Sequence, residues 1–243
     1  MLRQRIQTAL QLIYPPSCVC CGGLVGEDFA LCGPCWRDTP FVGGLVCEKC
    51  GVPMLGDEDT EDGICDDCMR VARPWGAGRA AMLYHGNGRK MVLALKHGDR
   101  HEVARAAGPW LARVARPLVT PRTLIAPIPL HWTRLLGRRF NQSALLAQSL
   151  ARVLQLPCCP DLLERHNRTQ SLEGLGRDAR FKTLQDSMRV TARHADMVDG
   201  RPVLLVDDVM TSGATLGAAA EALLSSHSGD IHVVTLARVA KDA

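Results

Sequence analysis

Eight cysteines near the start of the chain constrain its fold more than any other feature of the sequence. They form four C-x-x-C pairs, and two sulfurs at this spacing can point at one ion from a single tight turn. In a reducing compartment such pairs hold a metal rather than form disulfides. Eight thiolates are enough for two closed, structural Zn²⁺ sites, and the predicted ligands are Cys18, Cys21, Cys32, Cys35, Cys47, Cys50, Cys65 and Cys68.

Two arrangements of the four pairs around the metals stay open at this point. Sequential pairing closes loops of 10 and 14 intervening residues, 22–31 and 51–64. A crossed arrangement closes longer loops, but each doubling of loop length costs only about 0.6 kcal/mol. We favour sequential pairing, which gives two ribbon-like units. A disulfide-rich or redox-active segment is the alternative to zinc, and the regular repetition of the pairs favours zinc.

Charge divides the chain at about the same place as the cysteines do. Residues 1–75 contain 6 Lys/Arg and 11 Asp/Glu, a net charge of −5, whereas residues 76–243 contain 23 and 14, a net charge of +9. We therefore predict an N-terminal helix and double zinc ribbon in residues 1–75, followed by a second domain in residues 76–243. A basic surface on the second domain suits a polyphosphate ligand or nucleic acid.

The sequence contains no apolar run of the ~18–20 residues that a membrane span requires. Its N-terminal segment has the pattern of a short amphipathic helix that is stopped by Pro15 and Pro16, not the pattern of a signal peptide. We therefore expect a cytoplasmic protein without a membrane span.

Helical and strand patterns alternate through the second domain. Buried strands are predicted in "RTLIAPIPL", "RPVLLVDD" and "DIHVVTLARV", and helices in "QSALLAQSLARVLQL" and "SGATLGAAAEALLSS". A further helix in "HEVARAAGPWLARVARP" is expected to be disturbed at Gly108 and Pro109. Alternation of this kind predicts an α/β fold, with a mainly parallel sheet and flanking helices.

The segment "VLLVDDVMTSGATL" (residues 203–216) carries the strongest functional signal of this domain. In parallel sheets, ligands bind beyond the carboxyl ends of the strands, and the segment has two adjacent carboxylates at such an end. A turn and a helix start follow, where free backbone N–H groups and the helix dipole favour an anion. Two carboxylates would repel a phosphate but can accept hydrogen bonds from the vicinal hydroxyls of a ribose. The pattern therefore predicts a ribose phosphate site, formed by Asp207, Asp208, Val209, Met210, Thr211, Ser212, Gly213, Ala214 and Thr215.

The same segment resembles the phosphoribosyl diphosphate signature of type I phosphoribosyltransferases. The stretches "YHGNGRKMVLALKHGDR", "IAPIPLHWTRLLGRRFNQSALLA" and "RHNRTQSLEGLGRDAR", together with the cysteine pairs, resemble the ComF family over nearly the whole chain. The resemblance implies a double zinc ribbon before a type I phosphoribosyltransferase-like domain, in which Asp207 and Asp208 bind the ribose hydroxyls and residues 211–215 bind the 5′-phosphate. It also implies an association with DNA uptake in natural transformation.

The resemblance extends to the leaving group and to the acceptor. It implies Mg²⁺ bound with the diphosphate, and the candidate diphosphate ligands are Lys96, Pro127, Ile128, Arg134, Arg138 and Arg139. Enzymes of this superfamily that salvage 6-oxopurines carry an acid at the position held here by Thr211. A threonine cannot abstract a proton near neutral pH, so purine salvage is disfavoured.

Two functions remain open from the sequence. The first is a phosphoribosyltransferase with an unknown acceptor, and no catalytic residue is assigned to it. The second is a non-catalytic protein whose pocket recognises phosphoribosyl diphosphate or a nucleotide, while single-stranded DNA and DNA-uptake proteins bind elsewhere. Aromatic residues make up only 4% of the chain, so contact with single-stranded DNA would be mostly electrostatic and salt-dependent.

Overall fold

The computed structural model describes residues 14–56, 63–97, 100–130, 140–165 and 187–240. The N-terminal helix predicted from the sequence falls mostly in residues 1–13 and so lies outside the described residues. The described helices, numbered in chain order, are α1 (Gly33–Arg37), α2 (Asp66–Arg70), α3 (Gly86–His97), α4 (Glu102–Ala115), α5 (Gln142–Leu154) and α6 (Ala214–Leu224). The described strands are β1 (Gly78–Leu83), β2 (Leu124–Pro127), β3 (Leu163–Arg165), β4 (Met188–Val190), β5 (Val203–Met210) and β6 (Ile231–Arg238).

Four of these strands form a parallel sheet in the order β1-β6-β5-β2. In the register of the central strands, Val203 of β5 lies opposite Ile231 of β6 and Leu124 of β2. All four residues of β2 are buried, as are the first four of β5, because helices cover both faces of a parallel sheet. The predicted α/β fold with a mainly parallel sheet is confirmed.

The helices divide between the two faces of this sheet. On one face α3, α4 and α5 contribute Leu95, Leu111 and Leu146 to a buried cluster. On the other face α6 contributes Leu216 and Leu223 to a second buried cluster. Both faces are therefore covered, and open space for a ligand is left at the ends of the strands.

Strand β1 lies at an edge of the sheet, and the cysteine-rich segment covers this edge. The Val42 N–H donates to the Ala81 carbonyl at 3.0 Å, and the Gly78 N–H donates to the Glu48 carbonyl at 2.7 Å. Unpaired N–H and C=O groups on an edge strand invite pairing with another chain. The cysteine-rich segment satisfies them, so it is packed onto the sheet rather than held on a free linker.

Helix α4 runs without interruption through Pro109, so the expected disturbance at this position was wrong. Proline lacks an N–H, which leaves the Arg105 carbonyl without its usual helical donor. The Ser149 hydroxyl of α5 donates to that carbonyl at a long 3.5 Å. Gly108 makes this approach possible, because a Cβ there would lie 2.5 Å from the Ser149 Oγ and 3.1 Å from its carbonyl oxygen.

A small antiparallel sheet, β3 with β4, stands beside the main sheet. Near it, Asp161 accepts a hydrogen bond from the Cys159 thiol at 3.5 Å and lies 3.1 Å from the His194 Nε2. Arg193 forms an ion pair with the same carboxylate. The four side chains hold the 3-10 helix Ala192–Met197 against the segment that enters β3.

The contact between α4 and α5 yields a stability prediction. We expect Gly108→Val to lower the free energy of unfolding by about 1–3 kcal/mol, since the added side chain overlaps Ser149 and separates the two helices. Gly43→Val is the matched control, because a Cβ at Gly43 meets nothing within 4 Å. Urea unfolding of both variants measures the difference, and equal stability of the two would contradict the prediction.

Candidate functional site

The eight paired cysteines lie in two groups of four. In each group the four sulfurs lie within 4.8 Å of one another. The groups follow the sequential pairing, and the closest sulfurs across pairs, Cys21 with Cys32 and Cys50 with Cys65, are 3.7 Å apart. We call Cys18, Cys21, Cys32 and Cys35 the first cluster and Cys47, Cys50, Cys65 and Cys68 the second cluster.

Backbone amides surround one sulfur of each cluster. The N–H groups of Cys20 and Cys32 donate to the Cys18 sulfur at 3.4 and 3.3 Å, and the Cys65 N–H donates to the Cys47 sulfur at 3.3 Å. Burial opposes ionisation of Cys18, yet hydrogen bonds from the backbone amides of Cys21, Cys32 and Cys20 lower the pKa of its thiol to about 6. Four clustered thiols with amide donors fit Zn²⁺, and closed four-cysteine sites of this kind are structural.

The two adjacent carboxylates stand where the neighbouring strand has already ended. Strand β2 stops at Pro127, opposite Val206 of β5, and the Ile128 N–H then donates to the Val206 carbonyl at 2.9 Å. Strand β5 continues through Asp207 and Asp208. Both acids therefore lie at the carboxyl edge of the sheet, next to the turn that follows β2.

Each carboxylate has a specific partner. The Ser143 hydroxyl of α5 donates to the Asp207 Oδ1 at 2.9 Å. The Lys96 ammonium of α3 lies 3.1 Å from the Asp208 Oδ1, and Asp208 is only 8% exposed. Burial and the neighbouring Asp208 charge raise the pKa of Asp207 to about 7, against the opposing effect of the Ser143 hydrogen bond. The site thus holds a carboxyl with a raised pKa beside an acid that is paired with a lysine.

The start of α5 connects three parts of this site. Asn141 is the N-cap of the helix and accepts a hydrogen bond from the Ser143 N–H at 3.0 Å. Its Nδ2 also donates to the Ile128 carbonyl at 2.9 Å, and the Gln142 Nε2 lies 3.5 Å from the Lys96 carbonyl. Our sequence analysis assigned no role to these residues. The run Asn-Gln-Ser between a strand and a helix was the available signal, since such residues cap helices.

The β5–α6 loop, residues 211–213, closes the other side of the site. A small cleft of about 20 Å³ lies between this loop, the end of β5 and the start of α6. This is close to the space for one water molecule, so a phosphate would sit at the rim of the cleft or widen it. The cleft is lined by Asp207, Val209, Met210, Thr211, Gly213, Ala214, Thr215 and Leu216.

Gly213 adopts a backbone conformation that favours glycine, and protein groups surround the place where a side chain would lie. It is the N-cap of α6 and has a φ of 80°, a conformation that other residues rarely adopt. A Cβ there would lie 2.8 Å from the Arg73 Nη1 and 3.2 Å from the Trp75 ring. The absent side chain therefore makes room for protein groups behind the loop.

Two arginines hold the loop from behind, and our sequence analysis did not identify either. The Arg238 Nη1 donates to the carbonyls of Met210 and Thr211 at 3.2 and 2.8 Å. The Arg73 Nη1 donates to the Ser212 carbonyl at 2.6 Å. No sequence pattern near either arginine indicates these contacts, because they join residues 27 to 139 positions apart.

The structure brings several predicted site residues together. Lys96, Pro127 and Ile128 lie around the two carboxylates, with Lys96 in contact with an acid rather than in open solvent. Arg134, Arg138 and Arg139 lie outside the described residues. The arrangement offers two oxygen acceptors, one cation and an amide-rich turn at a single edge of the sheet.

Comparisons with known proteins agree with this architecture. Residues 9–69 match the family model described as a double zinc ribbon domain, and residues 141–243 match that of a phosphoribosyl transferase domain. The DNA utilization protein YhgH of Escherichia coli (strain K12) is 28% identical over 234 residues, which cover 93% of this chain and 99% of that protein. Competence protein ComFC of Bacillus subtilis (strain 168) is 25% identical, over 83% of this chain and 80% of that protein. Competence protein F of Haemophilus influenzae (strain ATCC 51907 / DSM 11121 / KW20 / Rd) is 32% identical, over 52% of this chain and 55% of that protein.

These features define a phosphoribosyltransferase-like protein that carries a double zinc ribbon. The chain belongs to the ComF family. Among solved structures, adenine phosphoribosyltransferase from Thermoanaerobacter pseudethanolicus is 18% identical, over 61% of this chain and 74% of that chain, with a TM-score of 0.38. The domain boundary between residues 75 and 76 stays a prediction.

The described residues include no helix with the length and apolar character needed to cross a membrane.

The two cysteine clusters predict the metal content of the protein. We expect reduced, chelator-free protein to contain two zinc ions per chain, and Cys21→Ser or Cys65→Ser to lose about one of them, because each cluster is a separate closed site. Mass spectrometric metal analysis provides the measurement, with Cys158→Ser as the control outside both clusters. A zinc content near zero in the wild-type protein would rule out this arrangement.

The raised pKa of Asp207 predicts a pH-dependent stability. The folded protein binds this proton more tightly than the unfolded chain, whose aspartates titrate near 3.8, so this group lowers stability as the pH rises through about 7. We expect Asp207→Asn to raise the melting temperature by a few degrees at pH 8. The gain should shrink as the pH falls towards 5. An exposed acid, Asp196→Asn, is the control, and a gain that is the same at both pH values would contradict the assignment.

Proposed function

We propose that this chain binds phosphoribosyl diphosphate, or a related phosphorylated ribose, at the carboxyl edge of its sheet. Asp207 and Asp208 accept hydrogen bonds from the vicinal hydroxyls of the ribose. The 5′-phosphate is surrounded by the loop and the start of α6, that is by Thr211, Ser212, Gly213, Ala214 and Thr215. The observation that carries this proposal is the placement of both carboxylates beside the β5–α6 loop, where α6 begins.

The chemistry of each group supports its proposed partner. A carboxylate accepts hydrogen bonds and repels phosphate, so the acids suit the sugar hydroxyls. A helix N-terminus offers unpaired N–H groups and a favourable dipole to an anion. The separation of these two functions along one strand–loop–helix unit matches a ligand with hydroxyls at one end and a phosphate at the other.

The diphosphate of the ligand would lie on the opposite side of the ribose, near the turn after β2. Pro127 and Ile128 supply backbone there, and Lys96 supplies a positive charge that lies at Asp208. The carboxylate oxygens of Asp207 and Asp208 are hard donors of the kind that Mg²⁺ prefers. Bound Mg²⁺ would neutralise part of the negative charge of the diphosphate. Arg134, Arg138 and Arg139 remain candidates for the same role.

Such a site supports transfer of the phosphoribosyl group. In that reaction the bond between the anomeric carbon and the diphosphate oxygen breaks, and its electron pair leaves with the pyrophosphate. An acceptor nucleophile then forms the new bond to the same carbon. The two carboxylates orient the ribose, and their negative charge stabilises the positive charge that develops on the ring. Thr211 offers no general base, so the acceptor would have to be nucleophilic without deprotonation by this residue.

A role in DNA uptake is the second part of the proposal. It rests on the printed names of the relatives, which include a DNA utilization protein and two competence proteins. The net charge of +9 on residues 76–243 favours contact with a polyanion. A non-catalytic protein that binds single-stranded DNA and DNA-uptake proteins, with the ribose phosphate site as a regulatory pocket, is therefore the alternative to a transferase.

Calorimetry tests ligand binding directly. We expect phosphoribosyl diphosphate with Mg²⁺ to bind the wild-type protein, and Asp207→Asn/Asp208→Asn to bind about 100-fold more weakly, since two charge-assisted hydrogen bonds are lost. The control, Asp196→Asn/Asp199→Asn, removes the same charge from exposed positions outside the site. Equal affinities for the two double variants would remove the proposed role of the carboxylates.

Pyrophosphate release separates the two functions. A transferase should release pyrophosphate from phosphoribosyl diphosphate in the presence of one member of a panel of bases and amines, and the Asp207→Asn/Asp208→Asn variant should not. Tight ligand binding without release across the panel favours the binding protein. A change in affinity for single-stranded DNA on addition of the ligand would then identify the pocket as regulatory.

A further inference from the structure

The two arginines behind the β5–α6 loop connect it to the second cysteine cluster. The Arg238 Nη2 lies 3.8 Å from the Cys50 sulfur, while its Nη1 holds the Met210 and Thr211 carbonyls. The Arg73 guanidinium lies 5.5 Å from the centre of the Trp75 ring, and the Trp75 Nε1 donates to the Lys49 carbonyl at 2.7 Å, within the Cys47–Cys50 turn of the cluster. Arg238 therefore joins the loop to a cluster cysteine directly, and Arg73 joins the loop to the cluster through Trp75.

Arg238 is buried in the protein, and Arg73 is partly buried. Arg238 is only 3% exposed. Its Nε, together with the Nε and Nη2 of Arg73, is buried and has no hydrogen-bond partner among the described residues. Buried cations are costly unless a negative charge lies nearby. Four thiolates around one Zn²⁺ carry a net double negative charge, which two guanidinium groups would balance.

The hydrogen bonds to the loop carbonyls also fix the direction of the loop amides. The described residues contain no cis peptide bond, and in a trans peptide the C=O and the following N–H point in opposite directions. Holding the carbonyls of Met210, Thr211 and Ser212 towards the arginines thus turns the N–H groups of the three loop residues, 211–213, away from them. These are the amides that a phosphate at the start of α6 would meet.

We infer that Arg73 and Arg238 are positioning residues that join the second cluster and the β5–α6 loop into one cooperative unit. Zinc in the second cluster fixes the two guanidinium groups, and they aim the loop amides at the anion. The consequence for a phosphate ligand rests on the proposed function. By linkage, a ligand that needs the ordered loop also favours retention of this zinc. The first cluster has no such connection among the described residues.

Hydrogen exchange tests the inference without any ligand. We expect Cys65→Ser, which disables the second cluster, to speed exchange of the amides in residues 210–216 by about tenfold, whereas Cys21→Ser in the first cluster leaves them unchanged. Equal exchange of this segment in the two variants would overturn the inference.

Arginine variants with both clusters intact separate positioning from folding. Arg73→Met and Arg238→Met should show the same faster exchange in residues 210–216 while both zinc ions stay bound. Arg79→Met is the matched control, because Arg79 donates to the Glu48 carbonyl of the same ribbon but not to the loop. Arg238→Lys keeps the charge but cannot reach two loop carbonyls and a sulfur at once. Wild-type exchange in Arg238→Lys, or equal effects of Arg79→Met and Arg73→Met, would count against positioning.

Zinc release connects the inference to the ligand. With a chromogenic chelator, phosphoribosyl diphosphate and Mg²⁺ should slow the release of one of the two zinc ions from the wild-type protein, and Arg73→Met should abolish this effect. Ligand binding with unchanged zinc release would overturn the linkage and leave the proposed function standing. Faster loop exchange in Cys65→Ser together with no ligand binding would support the structural coupling and overturn the proposed function.

Discussion

Two adjacent carboxylates in β5, just beyond the point where β2 ends, impose a constraint that much of the surrounding structure meets. Negative charges side by side in a partly buried place repel each other and lose hydration. Two helices relieve this cost: α3 brings Lys96 to Asp208, and α5 brings Ser143 to Asp207. Asn141, the N-cap of α5, holds the start of that helix against the turn after β2. The positions of α3 and α5 on one face of the sheet are thus tied to the charges at its edge.

The architecture follows from sequence because its signals are local. Apolar runs that alternate with amphipathic segments specify strands and helices, and the Asp-Asp pair after such a run indicates acids near the carboxyl edge of the sheet, although β5 itself continues to Met210. Cysteines spaced two residues apart specify metal-binding turns, and short loops between them favour the sequential grouping. Each of these signals depends on residues that are close in the chain, so no knowledge of the tertiary structure is needed.

The rest depends on contacts between distant residues. Nothing near Arg238 in the sequence indicates that its guanidinium lies under a loop some 27 residues earlier and beside a cysteine 188 residues earlier. The proline in α4 shows the same limit: the rule that proline breaks helices holds for an isolated helix. Here a serine from a neighbouring helix lies within reach of the exposed carbonyl, and a glycine allows the two helices to approach.

The cysteine-rich segment has a consequence for the fate of newly made chains. It covers the open side of β1, and its own shape depends on two metal sites rather than on a large apolar core. A chain synthesised under zinc starvation would present a bare strand edge, which is a template for self-association and an entry point for proteases. The supply of zinc would then decide which chains persist, because only a chain with both metals bound has the edge of its sheet covered.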